Sequence, residues 1–441
     1  MRRNIFVKII CAIFALSICF CSAAGCGNKE QSQDRGEGGF GGILNLGVGE
    51  VLNAARGSGE PSATGEYIAK MSKALGANTQ RVWVKACEIS SVNAANELVF
   101  DNTKVALYQD FFKKLVENGV TRICMMSDQF VSPYGYSGLL NTVPDPDTNY
   151  EEYKIWLKLI GDFYKKTAEL FPEVHYFEVA NELDFAAYSG EKDNGYAVNG
   201  IWQDGKNNFY AIDKIGKLSA DSLYAANKAV KEVNKDNVVL NAGTMGGTTA
   251  QMSGAQQYFY ALYDAIKDGK TESKDTDPFN YFQIYAIHPY PYYLNGASGV
   301  GEGEKGIKFW SDEVNELYNI CLEYDHRIPC WFTEFGCPND YYNQDKFWSN
   351  EDVKEWLPMY FDAMKKLDYV ETVIMFRLTN LYVGKWEERE NVMGMFLSPD
   401  WKKLPGAPKQ TALTVYRYFN NKRADINDEN GIYWYYLEHK E

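Results

Sequence analysis

The chain has 441 residues, 45% of them hydrophobic and 24% charged, so it can bury a substantial core as one large domain or two medium ones. Lys and Arg total 45 against 59 Asp and Glu, a formal net charge of −14. Without a basic block, that balance excludes a nucleic-acid or anionic-lipid grip through the folded part.

The first predicted segment is an address. Arg2, Arg3 and Lys8 precede an apolar run from Ile9 to Cys21, and small residues then lead to Cys26. This is the pattern of a signal peptide over 1–25, with an apolar stretch short for a bilayer span. Ala23-Ala24-Gly25-Cys26 resembles a bacterial lipobox, although Ala23 stands where Leu is usual; Cys26 would then be acylated and become the mature N-terminus. Cleavage after Ala24 with simple secretion is the other reading. Residues 26–42, polar and then Gly-rich, read as a flexible tether. Membrane contact is expected only through that anchor, at the cell surface, with the mature charge near −17. Five cysteines follow the leader, an odd number without metal-ligand spacing, and Cys124 and Cys330 sit in apolar runs as small hydrophobes.

From residue 43 strand-like and helix-like segments alternate. Strands are predicted at Ile43–Gly49, Thr79–Lys85, Thr121–Ser127, Tyr176–Ala180, Val238–Ala242, Phe282–His288, Cys330–Thr333 and Val373–Leu378. Helices are predicted at Glu66–Leu75, Lys104–Glu117, Tyr150–Leu170, Asp213–Asn234, Gln256–Lys267, Phe309–Tyr324, Val353–Leu367 and Gln410–Asn421. Eight such pairs specify a single α/β domain, a (β/α)8 barrel over 43–421, with 422–441 as a C-terminal extension. Helix-to-strand returns are mostly short, whereas the segments 128–149, 183–212, 289–308 and 379–409 after strands are long. The elaborated face is therefore the C-terminal end of the strands, where barrels place their chemistry. The polar return over 268–281 is the exception, and sequence offers no reason for it.

Two strand ends carry carboxylates. The fourth strand runs into Asn181-Glu182-Leu183-Asp184 and the seventh into Thr333-Glu334-Phe335-Gly336. Asn-Glu alone means little, since it recurs at Asn96-Glu97 and Asn315-Glu316 outside the strands. Facing each other across a barrel mouth, Glu182 and Glu334 form the acid pair that a retaining glycosidase needs, one carboxyl delivering a proton and the other attacking the anomeric carbon. The chemistry requires neither metal nor cofactor, and none is expected.

This set resembles glycoside hydrolase clan A, retaining TIM-barrel enzymes, over essentially residues 43–421. The resemblance implies Glu182 as acid/base, Glu334 as nucleophile, Asn181 as a sugar contact and Arg81 on the second strand as the nucleophile's support. His288-Pro289-Tyr290 matches the clan's His and Tyr positions; 393–396 and Pro408-Lys409 resemble its C-terminal signature. The likeness is family 5-like with departures: Ser127-Asp128-Gln129-Phe130 lacks the usual His after strand three, and Phe376-Arg377-Leu378 lacks the Trp after strand eight. Asn-Glu-Leu-Asp is reminiscent of families 39 and 79.

Bland readings stand beside these. Arg81 and Glu178 could form an ionic layer inside the barrel. Arg377 is predicted to face inward, opposite an apolar face of Ile374, Phe376 and Leu378, where it would meet an acidic sugar. The long loops carry Phe130, Tyr134, Tyr136, Tyr188, Trp202, Tyr292, Tyr293, Trp310, Tyr341, Tyr342, Trp348, Tyr382 and Trp386, a surplus suited to stacking on sugar rings in a cleft. The expected protein is a monomeric, surface-anchored retaining β-glycosidase of an oligo- or polysaccharide, cellulase-, mannanase- or xylosidase-like, with a carbohydrate substrate as its partner. A sugar-binding lipoprotein of a transport system and a non-catalytic glycan-binding barrel are the alternatives.

Overall fold

The computed structural model describes residues 44–50, 61–128, 130, 136–137, 140–184, 202–203, 210–246, 249–291, 303–339, 348–379, 393–396 and 408–420. The leader, Cys26, the tether and the C-terminal extension lie outside the described residues.

Strands and helices alternate in the predicted order: β1 (Asn45–Glu50), α1 (Pro61–Leu75), β2 (Thr79–Trp83), α2 (Asn102–Glu117), β3 (Arg122–Ser127), α3 (Tyr150–Leu170), β4 (Tyr176–Val179) and α4 (Ile212–Val233). There follow β5 in two pieces (Val238–Leu240 and Thr244–Gly246), α5 (Thr249–Lys267), β6 (Tyr285–Pro289), α6 (Gly303–Glu323), β7 (Cys330–Phe335), α7 (Asn350–Lys366), β8 (Val370–Phe376) and α8 (Gln410–Asn420). All barrel pairs are parallel, and β1 lies between β2 and β8. The two pieces of β5 stand at opposite ends of the sheet order, one on β4 and the other on β6. A bridge from Leu240 to Ile284 and another from Asn181 to Gly243 join across that break and close the ring. This is the (β/α)8 barrel, and its strands buried on both faces explain why they read as apolar runs.

Local signals account for the boundaries. Asp101 caps α2 by accepting from the backbone of Thr103 and Lys104, and Ser349 with Asp352 forms a capping box on α7. Gly76 and Gly119 end α1 and α2 at φ +88° and +90°, a left-handed turn that glycine makes without a Cβ penalty, so the returns to β2 and β3 stay short. The 268–281 return is built rather than loose. Asp221 on α4 accepts from Tyr153, Lys217 and the backbone N–H of Glu272, and Thr271, Ser273 and Tyr281 share a hydroxyl cluster. The segment is a polar strap tied to α3 and α4.

The base of the barrel is filled by Cys124, Leu240, Ile284, Ala286, Trp331 and Ile374. Arg122 lies over the rings of Trp331 and Tyr176, 4.6 and 5.4 Å from their centroids, with Glu371 at 3.3 Å. Cys124 and Cys330 are buried as expected, and the five described cysteines are free thiols. Three of the loop aromatics also prove to be core. Phe130 packs on Phe163 and Tyr164, Trp310 on Phe332, Phe335 and Tyr360, and Trp348 on Trp356 and Tyr360. Trp310 also gives its N–H to the carbonyl of Pro289. These three rings are buried in the barrel wall, so for them a place in an open cleft is corrected. Tyr134, Tyr188, Tyr292, Tyr293, Tyr341, Tyr342, Tyr382 and Trp386 lie outside the described residues. Among the described residues no helix is long and apolar enough to cross a membrane.

Candidate active site

The inward rung at the mouth is set by register. Gly49 pairs with both Arg81 and Phe376, so these side chains point to the same side, and Met126 pairs with both Trp83 and Glu178. Arg81, almost fully buried, uses both edges of its fork. Its Nε and Nη2 donate to Glu178 at 2.6 and 3.0 Å, Nη1 to Glu334 at 2.6 Å, and Nη2 also to Asn181 Oδ1 at 2.9 Å. The ionic layer with Glu178 and the support of Glu334 are therefore one arrangement, not alternatives. Burial acts to lower the Arg81 pKa, but the two carboxylates overcome it and raise the value.

β4 ends in an unusual backbone. Ala180 and Glu182 have φ of +67° and +48°, a left-handed conformation costing non-glycine residues about 1–2 kcal/mol each. Neighbouring strands hold it: Ala180 N–H donates to Ser127 and Glu182 N–H to the Gly243 carbonyl, both at 2.8 Å. Farther along, the N–H of Met245 donates to Asp184. Burial, with the charge of Glu182, pushes the Asp184 carboxyl well above its usual range. The break in β5 thus presents Gly243 and Met245 to the chain that carries Glu182.

Glu182 and Glu334 converge with His288. Each offers one ligand-type atom, and these atoms lie within 4.8 Å of one another. His288, fully buried, places Nδ1 at 3.0 Å from Glu182 Oε1 and Nε2 at 3.1 Å from Thr333 Oγ1. Tyr290 Oη donates to Glu334 Oε2 at 2.7 Å. Burial acts to raise the Glu334 carboxyl; His288, Arg81 and the hydrogen bonds from Tyr290 and Arg81 outweigh it and hold the carboxyl below its usual value. The trio could in principle offer ligands to a cation, but the Arg81 guanidinium occupies Glu334 and supplies positive charge already. The Glu334 carboxyl is thus held towards its ionised form, and Glu182 is tied to the imidazole by a hydrogen bond.

Glu182, Glu334, Asn181, Arg81, His288 and Tyr290 are thus one hydrogen-bonded set. The phase read for β8 around Arg377 requires a correction. Ile374 lies in the barrel interior and Phe376 shares the rung of Arg81, so the face read as outward is the inward one. Arg377 is buried, its guanidinium carbon 5.8 Å from the Phe376 ring centre, and its carbonyl takes the N–H of Met395. The segment 393–396 is thereby docked on the end of β8, with Phe396 bonded to Leu378 and Lys409 to Met395.

Sequence reasoning missed Thr333, Gly243, Phe376 and Trp83. Thr333 and Gly243 act through contacts between distant strands, for which no local signal exists. Half-buried Phe376 was legible as a strand-end aromatic but read out of phase. Trp83, on an inward rung of β2, gives its indole N–H to Asp128 at 2.6 Å. Burial pushes the Asp128 carboxyl up to about 7, against the Trp83 hydrogen bond and the Lys85 and Arg81 charges.

No known family profile and no curated protein matches this sequence. Its fold is shared with solved glycosidase barrels. A GH5-4 broad specificity endoglucanase from Clostridium longisporum has 11% identity and a TM-score of 0.54, covering 86% of this chain and 96% of its own. A GH5_18 protein from Streptomyces cattleya, in complex with GlcNAc, has 13% identity and a TM-score of 0.55, covering 87% of this chain and 81% of its own. A family 1 β-glucosidase from Thermotoga maritima has 13% identity and a TM-score of 0.53, covering 89% and 98%. The likeness establishes the barrel that clan A glycosidases use.

Proposed function

We propose that this chain is a retaining β-glycoside hydrolase of an extracellular oligo- or polysaccharide, anchored at the cell surface through Cys26. The observation that carries the reading is the spacing of the two carboxylates. The nearest oxygens of Glu182 and Glu334 come within 4.8 Å, which supports a close pair of the kind double displacement uses, with carboxyls roughly 5–5.5 Å apart. An inverting enzyme needs roughly 6.5–9.5 Å, to seat a water between them. The names of the fold neighbours, endoglucanase and β-glucosidase among them, support the same chemistry.

In the first step Glu334 attacks the anomeric carbon as the glycosidic C–O bond breaks, and the leaving oxygen takes the proton of Glu182. The product is a glycosyl ester on Glu334. In the second step Glu182 takes a proton from water, whose oxygen attacks the same carbon and frees Glu334. Arg81 and Tyr290 hold the attacking oxygens in place, and Asn181, fixed by Arg81, is positioned for a sugar hydroxyl. Trp83 and Phe376 offer ring faces at the mouth.

The test separates the two acids. Glu334→Gln should abolish turnover of every substrate. Glu182→Ala should stop cleavage of natural β-glycans while retaining attack on aryl glycosides with acidic leaving groups, with azide rescuing deglycosylation. An NMR time course in which the opposite anomer appears first would overturn the mechanism. Tight binding of a simple sugar without turnover of any β-glycan would favour the transport reading.

A further inference from the structure

The hydrogen-bond polarity around His288 locates a proton. Glu178 is fully buried and accepts four bonds: from Arg81 Nε and Nη2, from the Gly243 N–H at 3.1 Å and from Thr333 Oγ1 at 3.2 Å. A carboxylate clasped by a guanidinium is ionised and can only accept. The single hydroxyl hydrogen of Thr333 therefore points at Glu178. Towards His288 Nε2, 3.1 Å away, Thr333 can only accept, so Nε2 carries a hydrogen. The ring is fully buried, so solvent does not replace this partner.

Nδ1 then decides the state of the acid. It faces Glu182 Oε1 at 3.0 Å. With Nε2 protonated, a neutral ring presents a lone pair there, and the bond requires a hydrogen from Glu182. If Glu182 is ionised, the same hydrogen sits on Nδ1 and the ring is cationic. Both forms hold one proton between the two atoms, and removing it sets a lone pair against a carboxylate. The other ionisable groups facing this pair are Glu334, whose Oε2 is 3.8 Å from Nδ1, Arg81 and Tyr290 through Glu334, and Asp184 beside Glu182.

We infer that Thr333 is a positioning residue that fixes the His288 tautomer, so that β7 supplies the nucleophile and also keeps the acid's proton in place. The inference rests on the hydrolase reading for its catalytic meaning, but the tautomer is a property of the protein alone. Without the Thr333 hydroxyl, the neutral ring is free to carry its hydrogen on Nδ1 and donate to an ionised Glu182.

The test uses 15N-histidine-labelled protein, which has four histidines, with His288→Gln assigning the signal. Wild type should show Nε2 protonated, either as the neutral Nε2–H form or as the imidazolium. Thr333→Val should move towards Nδ1–H, and Thr333→Ser should restore the wild-type pattern. In kinetics, Thr333→Val should move the basic limb of kcat/KM down by about one pH unit, the scale of one charge-assisted hydrogen bond. Its loss should be about tenfold larger on poor leaving groups than on acidic ones. A neutral Nδ1–H ring in wild type overturns the inference, even if Thr333→Val fails to fold. So does a folded Thr333→Val with an unmoved spectrum and limb. An Nε2–H ring in a protein that hydrolyses no glycoside removes the acid role together with the hydrolase reading. Hydrolysis with an Nδ1–H ring removes this inference alone.

Discussion

Replacing Arg81 with Met strands two carboxylates at once. The guanidinium bonds Glu178 at 2.6 and 3.0 Å and Glu334 at 2.6 Å, inside a barrel where water does not reach Glu178. At an effective dielectric near 20, opposite charges about 4 Å apart attract by about 4 kcal/mol, and removing one partner of a buried pair costs about 3–5 kcal/mol. Arg81→Met should lose that amount in urea unfolding at neutral pH. Glu178→Gln in the same chain removes the more deeply buried of the stranded charges and should recover about half of the loss. Activity should not return, because Glu334 still lacks its cation. The pH profile adds a sign. Arg81 helps hold the Glu334 carboxyl down, so its removal raises that carboxyl and moves the acid limb of kcat/KM to higher pH. A single variant within about 1 kcal/mol of wild type, or a double variant with full activity, would refute the shared-fork account.

Four further outcomes can be measured. A Cβ on Gly243 would sit 2.1 Å from His288 Nε2 and 2.7 Å from Thr333 Oγ1, so Gly243→Ala should cost about 1–3 kcal/mol and most natural-glycan activity. By contrast Gly161→Ala in α3, where the nearest atom is 3.7 Å away, should gain about 0.5–1 kcal/mol in thermal unfolding. Asp128 is raised to about 7 when folded, so its contribution is full below the unfolded value near 4 and is lost as pH rises through about 7. Wild type should therefore weaken across that window by up to roughly 4 kcal/mol, and Asp128→Asn should abolish this part of the pH dependence in denaturation curves. Finally, Cys26→Ala should release the protein from the detergent phase to the medium; a wild-type chain already in the medium would remove the anchor.

The residues themselves determined the barrel. Helix periodicity, caps such as Asp101, and left-handed Gly76 and Gly119 are local effects, so α3 is found where its pattern predicts it and most other elements agree within a few residues. The strand-end positions of Glu182 and Glu334 were equally legible, because each follows an apolar run whose length marks where the strand stops. Phase was not. Ile374 and Phe376 face inward because β8 is registered against Gly47 and Gly49, which leave room for them, and an apolar strand buried on both faces does not reveal its inner side. The one-turn helix Ala86–Ile89 and the hairpin of Ser90–Val92 with Leu98–Phe100 escaped notice because such short elements carry too little pattern. Tertiary structure alone decided how the acids differ. Arg81, Glu178, Thr333 and His288 come from four strands far apart in the chain, and the fields and hydrogen bonds that distinguish Glu334 from Glu182 exist only once barrel closure brings those strands round the same axis.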